Sequence, residues 1–159
     1  MLLDISTARG QISLNDEQFV AQWFNGIPGH RYLQTPKDAP AKVDAILIKH
    51  DVIIGLVETK CRYNLTLPQF RTAFNNEWLI TAEKIDSGKI LADQFCVPLY
   101  GFLFLVDDDV LLRVNLSEAT MRRERTTTQK TINGGIAWRE NAFVNMATAK
   151  VHRDIKNDW

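Results

Sequence analysis

The chain has little cysteine, no long apolar run and no excess charge, and each shortage narrows what it can be. Two cysteines, Cys61 and Cys96, with no histidines at ligand spacing beside them, make a poor zinc site and read as reduced thiols rather than a disulfide. No stretch of eighteen or more apolar residues occurs, and Met-Leu-Leu-Asp at the start has neither the basic nor the long apolar segment of a signal peptide, so the expectation is a cytoplasmic protein with no membrane partner. The net charge of +0 argues against coating nucleic acid or membrane through bulk positive charge. No internal repeat or low-complexity segment is present.

What is there is one ordinary globular domain of 159 residues, 45% hydrophobic. Its charge is mildly segregated. Residues 1–116 hold 11 basic and 14 acidic side chains, whereas 117–159 hold 8 basic and 5 acidic. The reading is a core over about 14–116 with a basic extension over 117–159. Arg122, Arg123, Arg125, Lys130 and Arg139 fall in that extension, as a solvated basic face or a local contact for a polyanion.

Periodicity outlines the elements. Ser13-Leu14-Asn15-Asp16 has the form of a helix cap, and Phe19, Val20, Trp23 and Phe24 follow at helical spacing, predicting a first helix over about 14–25. Arg31 to Thr35 reads as a short edge strand. Lys42 to Lys49 and Val52 to Cys61, rich in branched apolar residues and separated by His50-Asp51, predict a β-hairpin. The first run is apolar on both faces, so its sheet should be covered on both sides. Leu67 to about Phe95 reads as mostly helical, with breaks at Asn75-Asn76 or Ser87-Gly88 and an apolar stripe of Trp78, Leu79, Ala82, Ile85 and Phe95. Val97 to Val106 and Val110 to Leu116 predict two strands joined by Asp107-Asp108-Asp109, a solvated turn or a cation site. Thr126 to Ile132, Asn133-Gly134-Gly135 and Ile136 to Val144 suggest a hairpin or a strand-loop-helix tail.

Within the first hairpin only Asp44, Glu58 and Lys60 interrupt the apolar pattern away from its ends. Charges inside doubly covered strands are costly unless paired or bound to a metal. Glu58 and Lys60, two apart, leave the same face, and Arg62 follows if the strand continues. A three-residue loop at 50–52 puts Asp44 opposite Glu58, whereas an even-numbered loop needs a bulge to do so. Two carboxylates suffice for Mg²⁺ when a substrate phosphate completes its shell, and a neighbouring lysine suits phosphodiester hydrolysis. The competing readings are a buried Asp–Lys or Glu–Lys ion pair, or strand ends that simply reach solvent.

Asp44, thirteen intervening residues and then Glu58-Thr59-Lys60 at the end of an apolar strand, in a helix, hairpin, helix, strand order, resemble the PD-(D/E)xK phosphodiesterase superfamily. The likeness spans about residues 14–106, and Val43 stands where the motif has proline. It implies an α/β restriction endonuclease-like fold, a central mixed β-sheet flanked by helices on both faces. It implies a Mg²⁺-dependent DNA nuclease, with Mn²⁺ able to substitute. By position, Asp44 and Glu58 become metal ligands, the Thr59 carbonyl a further ligand, and Lys60 the residue that orients the water and offsets charge. An acid from the first helix is often added. Glu17 is preferred there, because Asp16 has an alternative as capping partner of Ser13; both are otherwise ordinary first-turn acids.

Lesser candidates are Arg62, Lys84, Arg122, Arg123 and Arg139 as contacts to DNA, Thr81 on the Lys84 face, and Gln94 at that helix's end. Trp138 reads as core, with stacking on nucleic acid as the alternative. His30, His50 and His152 form no spaced pair. A homodimer is compatible with cutting two strands. The alternative function is a catalytically idle nuclease-fold module that binds DNA or protein.

Overall fold

The computed structural model describes residues 8–38, 40–127, 135 and 138–157. Among these the chain forms a mixed six-stranded sheet, a three-stranded antiparallel sheet and three α-helices, an α/β fold. The first helix, α1, spans Ala8–Asn25, six residues longer at its start than the sequence predicts. Ser13 therefore lies inside the helix and is not its cap. Serine costs a helix interior only a few tenths of a kcal/mol relative to alanine, or roughly that order, too little to stop it.

After α1, β1 (His30–Gln34), β2 (Ala45–Lys49) and β3 (Val52–Arg62) form an antiparallel meander with β1 at the sheet edge. The β2–β3 loop has two residues, not three: His50 and Asp51 both take positive φ, 49° and 63°, as tight hairpin turns require. Lys49 pairs with Val52 and Ile48 with Ile53, but Leu47 pairs with Gly55. Ile54 is the extra residue of a bulge, and past it Ala45 is level with Val57.

The segment expected to be one broken helix divides into α2 (Leu67–Ala73), β4 (Glu77–Thr81) and α3 (Ala82–Gln94). Asn75 and Asn76, both at positive φ, break it where the sequence suggests. Beyond them Trp78 and Ile80 are buried while Leu79 is exposed, an alternation of period two that places a strand where a helix was expected. Ser87 and Gly88 remain helical, and Phe95 is exposed rather than part of a stripe.

β5 (Leu99–Leu105) lies parallel to β3, followed by antiparallel β6 (Val110–Asn115). The stretch after residue 116 holds β7 (Met121–Thr127), β8 (Trp138–Asn145), β9 (Lys150–Arg153) and a 3-10 turn at Ile155–Asn157. β7 and β8 are an antiparallel pair, β8 also pairs with β4, and β9 extends the large sheet beyond β6. Lys130, Ile132, Asn133, Gly134 and Ile136 lie outside the described residues. Trp138 is 63% exposed, not core, at the start of β8.

Alternate residues of β5 enter two apolar clusters. Phe102 and Phe104 pack with Val20, Ala21 and Phe24 of α1. Leu99, Leu103 and Leu105 join Phe70 of α2, Ile85 of α3 and Trp78 of β4. A strand apolar on both faces is the pattern of a sheet with both sides covered. Gly101, level with Glu58, must stay small, since an added Cβ would stand 2.5 Å from Cζ3 of Trp78.

Candidate active site

β1 and β2 stop at Gln34 and Ala45, but β3 continues to Arg62. Past Val57 its edge would present unpaired backbone groups on that side. Asp44 occupies the gap: its N–H donates to the Val57 carbonyl at 2.9 Å, and its Oδ2 accepts the Thr59 N–H at 2.7 Å. The register ends with Ala45 level with Val57, so Asp44 and Glu58 are the next residues along the two chains, and their side chains are close enough to hydrogen-bond. The even-numbered loop with a compensating bulge is thus how the two acids meet.

Glu58 is 4% exposed, and its Oε1 lies 3.6 Å from Lys60 Nζ and 3.5 Å from Lys84 Nζ. That oxygen is buried and takes no hydrogen bond. Burial first, and the Asp44 charge second, raise the Glu58 carboxyl to about 7, against the pull of both lysines. Burial, together with the charge of Lys84, lowers Lys60 below the usual lysine range. Burial also acts to lower Lys84, but the Glu58 carboxylate outweighs it and holds Lys84 above its ordinary value.

A second group meets this one from the α1 side. The Tyr32 hydroxyl donates to Glu17 Oε1 at 2.8 Å and shares a 2.8 Å hydrogen bond with Thr59 Oγ1. Lys37 Nζ stands 3.3 Å from Asp44 Oδ1 and 3.6 Å from Glu17 Oε2, bridging the two carboxylates. Burial and then Asp44 raise the Glu17 carboxyl above its usual range. Asp16 instead accepts the Tyr63 hydroxyl at 2.5 Å. Sequence reasoning missed Tyr32 and Lys37. Tyr32 is the one buried residue of β1, which alternation could have marked. Lys37 carries no periodic signal; Thr35 folds its loop inward by donating from its N–H and hydroxyl to the Asp44 carbonyl at 2.9 and 3.0 Å.

The structure therefore brings Asp44, Glu58, Thr59, Lys60, Lys84 and Glu17 into one neighbourhood. Other candidates lie elsewhere. Arg62, half-buried further along β3, lines a groove of about 540 Å³ with Trp78, Phe143 and Arg122. Arg122 sits 4.0 Å above the Phe143 ring and pairs with Glu77 at 3.0 Å and with Glu124. Arg123 pairs with Asp86 at 2.6 Å and Glu140 at 3.1 Å. Arg139 is exposed opposite Thr126. Thr81 ends β4, half-buried. Gln94 is exposed ten residues beyond Lys84, about 15 Å along α3 at 1.5 Å per residue, so it does not approach the centre. Asp107, Asp108 and Asp109 accept the main-chain N–H groups of Asn64, Leu67 and Lys156, which makes them anchors for neighbouring segments.

Among the described residues no group of three or more histidine, cysteine or acidic side chains is arranged to hold a metal ion. Asp44 and Glu58 remain a pair of hard oxygen donors, the number Mg²⁺ commonly takes from protein. The buried Glu58 Oε1 with no hydrogen bond is an oxygen that a cation would satisfy. No protein-family model matches the chain, and no curated protein matches it.

Proposed function

We propose that the protein is a metal-dependent phosphodiesterase that cleaves DNA at a centre formed by Asp44, Glu58 and Lys60. The observation that carries this reading is the bulge at Ile54, past which Ala45 stands level with Val57 and the Asp44 side chain comes within hydrogen-bond reach of Glu58, beside a lysine whose pKa burial depresses. Asp44 and Glu58 are the residues that would hold Mg²⁺ or Mn²⁺, which would supply charge to the phosphoryl oxygens. Lys60 places a donor beside the same oxygens and can orient a water. Lys84 adds positive charge from α3, suited to a substrate phosphate. The meander β1–β2–β3, the crossover through α3 and the parallel strand β5 support a restriction endonuclease-like fold. Helical residues in both apolar clusters support a sheet flanked by helices on both faces. A homodimer would bring two centres to a duplex.

The test is cleavage of linear, nicked, single-stranded and four-way DNA with Mg²⁺. Wild type should cut at least one of these, and Glu58→Ala and Lys60→Ala should cut none while remaining folded. Unchanged cleavage by either variant rejects the assignment.

One observation favours a second reading. Lys37, Lys60 and Lys84 already neutralise the carboxylates, as they would in an idle module that binds DNA or protein without cleaving. Calorimetry with Mn²⁺ separates the two, because the idle module takes up no divalent ion with or without DNA.

A further inference from the structure

On the α1 side of the large sheet, away from Glu58 and Lys60, a cavity of about 200 Å³ lies between α1 and the sheet, with lining residues from each of its six strands. Its walls include Trp23, Phe24, Tyr100 and Phe102, with Arg113 and His152 also lining it. The Trp23 ring lies 4.7 Å from the His152 imidazole and 6.4 Å from Phe102. Arg113 and His152 come from adjacent antiparallel strands, with His152 level with Leu111, so the two share a face.

Among the described residues each polar group has one buried nitrogen without a hydrogen bond. Arg113 Nε and His152 Nε2 are buried and make no hydrogen bond, and among the described residues Arg113 has no ion pair. No acidic side chain is among the described residues that line the cavity. A buried guanidinium Nε–H without an acceptor is costly, and an anion relieves that cost. Burial first, then Arg113 and Lys150, lower the His152 pKa, another sign that this pocket lacks negative charge. The volume falls below the roughly 300–1,000 Å³ typical of drug-sized ligand sites, leaving room for one ring with one acidic group.

We propose that this cavity is a binding site for a small planar organic anion, its ring held among Trp23, Phe24 and Phe102 and its carboxylate or phosphate on Arg113 and His152. This site is separate from the Asp44–Glu58 centre and does not depend on the function assigned there.

Isothermal calorimetry on the full chain tests it with benzoate and phenyl phosphate, using benzamide as an uncharged match in shape. At least one anion should bind about tenfold or more tightly than benzamide, the difference of one charge-assisted hydrogen bond. Whichever anion binds identifies the acidic group. Arg113→Met should weaken it by about 10- to 100-fold without lowering the melting temperature, since a charge with no ion pair is lost. His152→Phe, which keeps the ring against Trp23, should also weaken it. Equal affinity for benzamide, no binding of either anion, or unchanged affinity in both variants would overturn the proposal and leave the cavity to water. Affinity that falls in Lys60→Ala but not in Arg113→Met would place the anion at the Asp44–Glu58 centre and overturn it as well.

Discussion

Asp44 Oδ2 holds the main-chain N–H of Thr59 at 2.7 Å across fifteen residues of sequence. The same side chain thereby seals the first open position on the β3 edge and comes within hydrogen-bond reach of Glu58. A two-residue hairpin without a bulge would set Asp44 opposite Val57, and the acids would leave opposite faces of the sheet. One inserted residue, Ile54, decides whether the two carboxylates meet.

Asp44 therefore has a structural part and a chemical part, and two substitutions separate them. Asp44→Asn keeps an oxygen for the Thr59 N–H, whereas Asp44→Ala leaves that buried donor without an acceptor, at about 1–3 kcal/mol. Both should abolish Mg²⁺-dependent cleavage, and only the alanine variant should melt markedly below wild type. Equal melting of the two would mean that another group satisfies the Thr59 amide.

Glu58 sets a pH window. Its folded-state pKa of about 7 lies above the ordinary 4.5, so the folded protein retains a proton there that the unfolded chain has lost. In the absence of metal, the stability tied to that proton is complete below 4.5 and is lost as the pH rises through about 7. Glu58→Gln should gain stability relative to wild type across this window, and melting curves on either side of it read the gain. A divalent ion must displace the same proton, so Mn²⁺ affinity should climb by up to about tenfold per pH unit below 7 and level off above it. Affinity that is flat with pH would remove Glu58 from the ligand set.

The parts of this centre differ in how far the sequence exposes them. Glu58 and Lys60 stand out because charge interrupts an apolar strand, and their spacing alone puts them on one face. Asp44 was legible as a candidate but not as a neighbour of Glu58, because loop parity left two registers open and the bulge arises from the β2–β3 pairing. The helix expected through Trp78 failed for a related reason: five residues hold too little of either period to separate strand from helix, and pairing with β8 decides. Lys37 and Lys84 reach the carboxylates from a loop and from α3, and only the folded chain brings such residues together.

Lys84 gives a test that a purely structural role would not pass. Its ammonium lies 3.5 Å from Glu58 Oε1 and stabilises the charged carboxylate. Lys84→Met should shift the midpoint of the pH profile for Mn²⁺ binding upward, and Lys84→Arg should restore it. A midpoint that stays in place in the methionine variant would show that Lys84 does not tune Glu58.

Arg122 and Arg123 are the sequence candidates for DNA contact whose charge is most fully engaged within the protein. Glu77 and Glu124 hold the first, and Asp86 and Glu140 hold the second. A guanidinium that keeps two acidic partners releases few counterions when DNA arrives, because it enters the encounter already neutralised. If DNA binding is measured against salt concentration, replacing either arginine with alanine should leave the slope of log K against log[salt] unchanged. Loss of a true phosphate contact lowers that slope by about 1. Such a fall would place these arginines on the DNA after all, and would mean that β7 gives up its ion pairs when the complex forms.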